Sequence, residues 1–238
     1  MPERFLLLFL LLNSSIGFAE IRGAFTFTSD YVWRGYTKSA RHFALQVNLD
    51  YEDVSGIFLG SSASTVDFGD HGFTNRAQFE ITPYFGWSTT VTGDWRLDIQ
   101  WTRYIYDGNI LGQESDYNEF YALVHYSDVV TGKASFSEDF YNRGHPAGNV
   151  ELGGRYPFSD RFEISGNLGY NLSKEASEYD YLYWNMGLSA YLSNLVLDMR
   201  YFDAFETAES SPSQNSGSHE SFLGIIDSTL VFSITLGF

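Results

Sequence analysis

His125 and Ser127 stand two residues apart in "HYS". On an extended chain, side chains two apart share a face. An imidazole base would then lie beside a hydroxyl, which is the start of a nucleophile-activating pair. Phe120, Ala122, Val124 and Tyr126 alternate with them and would turn the pair toward an interior. In "SDYVWRG", Asp30 and Arg34 are four apart. On a strand they too share a face, either as a charged pair shaping a lumen or as a packing motif between strands, with Gly35 easing a turn. Acidic groups at Asp67, Asp70, Glu114 and Asp116, and at Glu206, Glu209 and Glu220, have the charge for calcium and equally the composition of solvated loops. The histidines at 42, 71, 125, 145 and 219 are scattered, without zinc-ligand spacing, and no phosphate-cradling glycine loop is present. No metal and no cofactor is expected.

The elements that would position these residues are strands. Trp95, Leu97, Ile99 and Trp101 alternate with Arg96, Asp98 and Gln100. Phe43, Leu45, Val47, Leu49 and Tyr51 alternate with Gln46, Asn48 and Asp50, and Phe79, Ile81, Phe85 and Trp87 with Gln78, Glu80 and Thr82. About twelve such period-two segments follow Ile21, and helical spacing fits none of them as well. Short turns near 53–56, 91–94, 129–132, 158–161 and 192–195 alternate with longer polar stretches near 37–42, 69–75, 109–116, 143–149, 173–180 and 205–220. That rhythm predicts an all-β, antiparallel up-and-down barrel with turns at one end and loops at the other.

The ends and the composition place this barrel. "MPERFLLLFLLLNSSIGFAE" has Arg4, an apolar run from Phe5 to Leu12 and small residues at Gly17 and Ala19, the layout of a secretory signal peptide spanning 1–19. Residues 20–238 are then the barrel domain. There is no cysteine, so no disulfide or thiolate chemistry. The net charge of −16, with no basic stripe, argues against nucleic acid as a partner. Several segments reach the roughly 9–11 residues that a tilted strand needs to cross a bilayer. Tyr31, Trp33, Tyr36, Tyr104, Tyr106, Tyr181, Tyr183, Trp184, Trp87 and Trp95 crowd strand ends, as interfacial girdles do. The chain closes on Leu230, Phe232, Ile234, Leu236 and Phe238, an alternating apolar face that resembles the C-terminal signature of bacterial outer-membrane proteins. This tail is expected to act as an assembly signal and to pair with the first strand, because an open edge in lipid leaves backbone groups unsatisfied. The expected setting is the bacterial outer membrane, reached by secretory export. The expected partners are its lipid and lipopolysaccharide, the β-barrel assembly machinery, and small polar solutes.

"FTSDYVWRGYTKS", read as the first strand, and the following "FALQVNLDYEDVSGIFLGSSASTVDF" resemble the opening of the TorF family of porin-like proteobacterial proteins. Thr28 to Gly35, then Gln46, Asp50, Gly60 and Val66-Asp67-Phe68, carry the resemblance, and "SEDFYNRG" at 137–144 is similar to that family's mid-chain segment. The resemblance implies an outer-membrane barrel with a porin role and assigns no substrate or functional residues. "HYS" also resembles the His-x-Ser pair of the twelve-stranded outer-membrane phospholipases. Its place near a short turn and the lack of a matched orienting Asn depart from them.

A narrow channel with a mixed-charge lumen is therefore expected, passing small polar solutes by diffusion. Its pore-lining residues are expected to be Arg34, Glu80, Arg96, Asp98, Arg155, Asp198 and Arg200, with a constriction near Arg155, Asp198 and Arg200. No catalysis is expected. The alternatives are a non-conducting structural or adhesive barrel, and a lipid-active hydrolase using His125 and Ser127.

Overall fold

A computed structural model describes residues 20–207 and 224–238, so the expected signal peptide at 1–19 lies outside the described residues. Twelve antiparallel strands close into one barrel. In chain order they are β1 (Glu20–Thr28), β4 (Ala44–Glu52), β5 (Ile57–Thr65), β6 (Phe79–Thr92), β7 (Trp95–Tyr106), β8 (Tyr117–Tyr126), β9 (Val130–Ser137), β10 (Ala147–Ser159), β11 (Phe162–Leu172), β12 (Tyr181–Leu192), β13 (Leu195–Glu206) and β14 (Thr229–Gly237). The two remaining strands, β2 (Val32–Trp33) and β3 (Tyr36–Thr37), form a separate hairpin.

Each wall strand separates two environments, and its sequence shows it. In β8 the residues alternate strictly between buried and exposed. Phe120 and Val124 project outward, while Glu119, Tyr121 and His125 project into the barrel. Ile99, Phe85, Leu45 and Phe27 are similarly half exposed on the outer face, whereas Asp98, Gln100, Asn48 and Thr26 are buried inside. An apolar exterior around a polar interior is the arrangement of a barrel surrounded by lipid, and the reverse of a soluble one.

The first and last strands close the cylinder, with Ala24 opposite Gly237 and Thr28 opposite Ser233. Gly23 and Phe238 exchange two backbone hydrogen bonds of 2.9 Å. The Phe238 ring stacks on Phe25 with centroids 5.1 Å apart and occupies the space a side chain at position 23 would need. Short turns join the strands at one end, and among the described residues the longer connections lie at the other together with residues 29–43.

That 29–43 segment departs from expectation. The first strand stops at Thr28, and "SDYVWRGYTKS" is not its continuation. Val32 pairs with Thr37 and Trp33 with Tyr36, across a two-residue turn in which Arg34 (φ 46°) and Gly35 (φ 80°) both have positive φ. Such a pair is the type I′ hairpin geometry, and glycine takes it without strain. The hairpin folds into the barrel, where Tyr31, Val32, Trp33 and Tyr36 are buried. Asp30 and Arg34 therefore do not share a strand face. Asp30 instead accepts hydrogen bonds from the Thr37 and Ser39 hydroxyls and braces the hairpin's base.

The girdle assignment is also corrected for seven aromatics. Tyr31, Trp33, Tyr36, Tyr104, Tyr106, Tyr181 and Tyr183 form a core inside the loop end of the barrel together with Tyr117, Phe140 and Tyr141. Tyr104 and Tyr106 share parity with Asp98, Gln100 and Thr102, so they point inward as those residues do. Trp87 and Trp95 are exposed outside, as expected.

Candidate functional site

The inward hairpin docks on the barrel wall through two cations. Lys38 is completely buried and ion-paired with Glu80 of β6. Glu80 also accepts from the Tyr31 hydroxyl at 2.9 Å and the Tyr106 hydroxyl at 2.6 Å. The ammonium nitrogen lies 4.9 Å from the ring centre of Tyr104, 5.2 Å from Trp33, 5.4 Å from Tyr31 and 6.0 Å from Tyr106. This is an aromatic cage with a carboxylate at its base, an arrangement suited to a dehydrated cation.

Arg34, at the hairpin tip, repeats the device on the neighbouring strands. Its guanidinium donates to Glu119 at 2.7 Å, to Ser135 at 3.0 Å and to the Tyr121 hydroxyl at 3.2 Å. Tyr121 and Ser135 also donate to Glu119, at 2.6 and 2.7 Å. The guanidinium carbon stands 5.0 Å from the Trp33 ring and 5.7 Å from that of Tyr121. A hydrogen bond of 2.6 Å between the Tyr104 and Tyr121 hydroxyls joins the two sites. Burying four charges is tolerable only because each carboxylate meets both a cation and hydroxyl donors. On the loop side, Tyr36 and Tyr141 share a hydroxyl hydrogen bond of 2.9 Å. Burial pushes the Tyr141 phenol above its ordinary range, so it stays neutral.

Below the hairpin, toward the turn end, the lumen is hollow. One cavity of about 190 Å³ is lined by Thr26, Gln46, Arg155, Asp198 and Arg200 among others. A second, of about 110 Å³, is lined by Arg34, Arg96, Asp98, Lys133 and Glu151 among others. Val32, Thr131, Gly153, Asn167 and Phe202 border both. The charges around the space are paired across the wall. Arg155 donates to Glu163 at 2.7 Å, and Lys133 reaches Glu151 at 3.1 Å. Arg200 meets Asp198 at 3.1 Å, Asn185 at 2.9 Å and Ser165 at 2.8 Å. Arg96 approaches Asp98 to 3.3 Å.

All seven of the expected charged residues face the interior, but they are not one ring. Glu80 belongs to the hairpin's seat, Arg34 at the hairpin's tip borders the second cavity from above, and Arg96, Asp98, Arg155, Asp198 and Arg200 border the hollow part from the wall. The lumen is filled at the hairpin, above the expected constriction at Arg155, Asp198 and Arg200. Lys38, with Tyr104 and Tyr106 as its cage, was not anticipated. The signal was present in "WRGYTK", a tight-turn pair flanked by cations and aromatics.

His125 points inward, but it does not work with Ser127. Its ring nitrogens lie 3.0 Å from Asp98 and 2.9 Å from the Thr131 hydroxyl. Ser127 is exposed in the turn after β8, at φ 47°, with its backbone N–H bonded to Asp94. No hydrogen bond joins His125 to Ser127 among the described residues. Thr131, His125 and Asp98 have the order of a nucleophile relay. The surrounding backbone N–H groups are engaged in the β7–β8–β9 ladders, so they cannot serve as oxyanion donors. Among the described residues no three His, Asp or Glu side chains gather as a metal site. Glu209, His219 and Glu220 lie outside the described residues.

Comparison with known proteins agrees with this architecture. Among curated proteins none matches the chain. Among solved structures, the KdgM porin superposes with a TM-score of 0.56 at 7% identity, covering 91% of this chain and 99% of that one. The KdgM porin in complex with disordered oligogalacturonate gives 0.54 at 7% identity, covering 93% and 99%. The COG4313 outer membrane channel from Pseudomonas putida F1 gives 0.49 at 10% identity, covering 94% and 96%. At 7% identity the likeness to the two KdgM structures establishes the fold alone, a barrel of the kind porins have. A family model described as a bacterial protein of unknown function, Gcw_chp, matches residues 15–238, and the chain belongs to that family.

Proposed function

We propose that this protein is an outer-membrane channel for small polar solutes whose loop end is closed, in the conformation described, by the inward hairpin. The observation that carries this reading is the lumen itself. A barrel with an apolar outer face holds a polar, hollow interior at the turn end, and the docked hairpin, packed with Ile110, Phe140, Tyr141, Tyr179 and Ile226 of the loops, obstructs the other end. Support also comes from the porin-like fold and from the TorF-like "SDYVWRG", which is the hairpin. The hairpin's seat is incompletely satisfied. Trp33 Nε1 and Arg34 Nε, and the Tyr117 and Tyr181 hydroxyls that surround the hairpin, are buried without a hydrogen-bond partner among the described residues. Each such group costs free energy, which lowers the cost of undocking. Arg34, Glu80, Arg96, Asp98, Arg155, Asp198 and Arg200 would then line the pathway, and selectivity would follow their paired charges.

Gly35→Ala tests this reading. A Cβ at residue 35 would stand 2.7 Å from Tyr183 Cβ and 2.8 Å from Ala204 Cβ, at a φ that side chains rarely adopt. The substitution presses the hairpin off the wall without touching the barrel ladder. In planar bilayers the parent protein should show low or rare conductance, and Gly35→Ala should raise it several-fold. Heat-modifiable mobility in gels would verify that the barrel is intact. If neither protein conducts while both are folded, a non-conducting structural barrel is the better reading. The tightly packed hairpin core is the specific observation in favour of that alternative.

A further inference from the structure

The wall that receives the hairpin is a continuous surface. Glu80 lies opposite Tyr106 in the β6–β7 register, Thr102 opposite Glu119 in β7–β8, and Tyr121 opposite Ser135 in β8–β9. Tyr104 bonds to Tyr121. Two carboxylates and three tyrosines therefore run across three adjacent strands on the inner face, and Ser135 extends the surface onto a fourth. Trp33 and Tyr31 complete the cages from the hairpin side, but Glu80, Tyr104, Tyr106, Glu119, Tyr121 and Ser135 belong to the barrel.

We infer that this surface is a binding track for solutes bearing ammonium or guanidinium groups, and that Lys38 and Arg34 occupy it as tethered stand-ins. The inference deepens the channel reading and rests on it for the solute's route. Its physical basis is the state left when the hairpin undocks. Glu80 and Glu119 then face the lumen without their cations, beside ring faces and hydroxyls already arranged around a cation's position. A carboxylate so placed recovers its stabilisation by taking up another cation. Alkylammonium or alkylguanidinium groups suit the site better than sodium ions, because both are attracted to ring faces, both carry N–H donors for the carboxylate, and the guanidinium is weakly hydrated. A solute with two such groups could engage both seats, and its arrival would compete with the hairpin and favour the open form by mass action. Neutral sugars and anions would gain nothing from this wall.

Chemical rescue tests the track without measuring transport. Lys38→Ala vacates the Glu80 seat, and Arg34→Ala vacates the Glu119 seat. The readout is the temperature at which each full-length, detergent-folded barrel loses its heat-modifiable mobility, at fixed ionic strength. Propylammonium should raise that temperature for Lys38→Ala, and ethylguanidinium for Arg34→Ala, with half-effects at least tenfold lower in concentration than sodium or the neutral propanol. The parent protein should not respond at those concentrations. Adding Glu80→Gln or Glu119→Gln should abolish the corresponding response. A variant that folds only when its cation is present supports the inference equally. Responses that do not distinguish the organic cation from sodium and propanol would overturn it, and so would a response that survives loss of the carboxylate. Failure of both variants to fold with any additive would also overturn it, because a track for free cations must accept them in place of tethered ones. A non-conducting barrel could still give the expected rescue, and a conducting one could lack it, so the two readings fail separately.

Discussion

At the scale of single residues, the molecule depends on charges taken out of water and answered one by one. The side chains of Arg34 and Glu119 are 3% and 2% exposed, so neither can turn to solvent when its partner is removed. Glu119→Gln keeps the volume and leaves a buried guanidinium facing a neutral amide. Breaking one side of such a pair costs about 3–5 kcal/mol, whereas removing both charges together costs far less. Glu119→Gln alone is therefore expected to destabilise the folded barrel by roughly that amount, and Arg34→Gln/Glu119→Gln by clearly less than the sum of the two single changes. Urea titrations of folding into lipid vesicles measure all three. Additive losses would mean that the pair is not coupled and that the hairpin is held by its aromatics and the Lys38–Glu80 pair. The His125–Asp98–Thr131 chain was not legible at this scale. Parity placed His125 inward, but no sequence spacing reveals that Asp98 lies one strand away and Thr131 beyond the next turn.

At the scale of elements, sequence and structure agree wherever the chain separates two environments. The wall strands were legible because lipid-side and lumen-side residues must alternate, and most turns were legible from their Gly, Asp and Asn content, although the one expected at 129–132 lies at 127–129 and Gly132 is within β9. The hairpin was not, because nearly all of its residues are enclosed by protein and its sequence has no polar face to set a period. "DYVWRGY" therefore reads as more strand, although the Arg34–Gly35 pair already has the chemistry of a tight turn. The seven interior aromatics were misplaced for a related reason. A ring near a strand end suits an interface, but its parity decides which side of the wall it occupies, and Tyr104 and Tyr106 have the parity of Asp98. Face assignment can be tested on β7 itself. Ile99 is 48% exposed outside, while Gln100 borders the lumen cavity. Ile99→Arg is expected to cost about 2–4 kcal/mol if it lies near mid-bilayer. Gln100→Arg should cost less, because its charge enters a polar cavity. Folding titrations that rank them in the opposite order would turn the barrel inside out.

At the scale of the whole molecule, twelve strands make one object only if the first and last find each other, and the last residue is part of that seam. Phe238 contributes two backbone hydrogen bonds to Gly23, and its ring covers that glycine while stacking on Phe25. Gly23 has no side chain, so the ring can lie against the backbone. A Cβ there would collide with the Phe238 ring. Two roles for the tail can thus be separated. As a seam, Phe238 should matter wherever the barrel closes. As a signal to the assembly machinery, it should matter only in cells, through the apolar face of Leu230, Phe232, Ile234, Leu236 and Phe238. Deleting Phe238 removes both roles, whereas Gly23→Ala leaves the tail sequence untouched and crowds only the seam. If closure is the tail's main work, both changes should lower the yield of heat-modifiable barrel when purified protein folds into detergent, and both should lower it in the outer membrane. If recognition is the main work, Phe238 deletion should fold normally in detergent and fail in cells, leaving degradation products, while Gly23→Ala assembles well in both. The close fit of ring, glycine and stacked Phe25 supports the seam, and the alternating apolar tail motivates the prediction that it is also a signal. On that basis Phe238 deletion is expected to be the worse of the two in cells and equal to Gly23→Ala in detergent. A deletion with unchanged yield in both settings would remove Phe238 from the assembly of the barrel altogether.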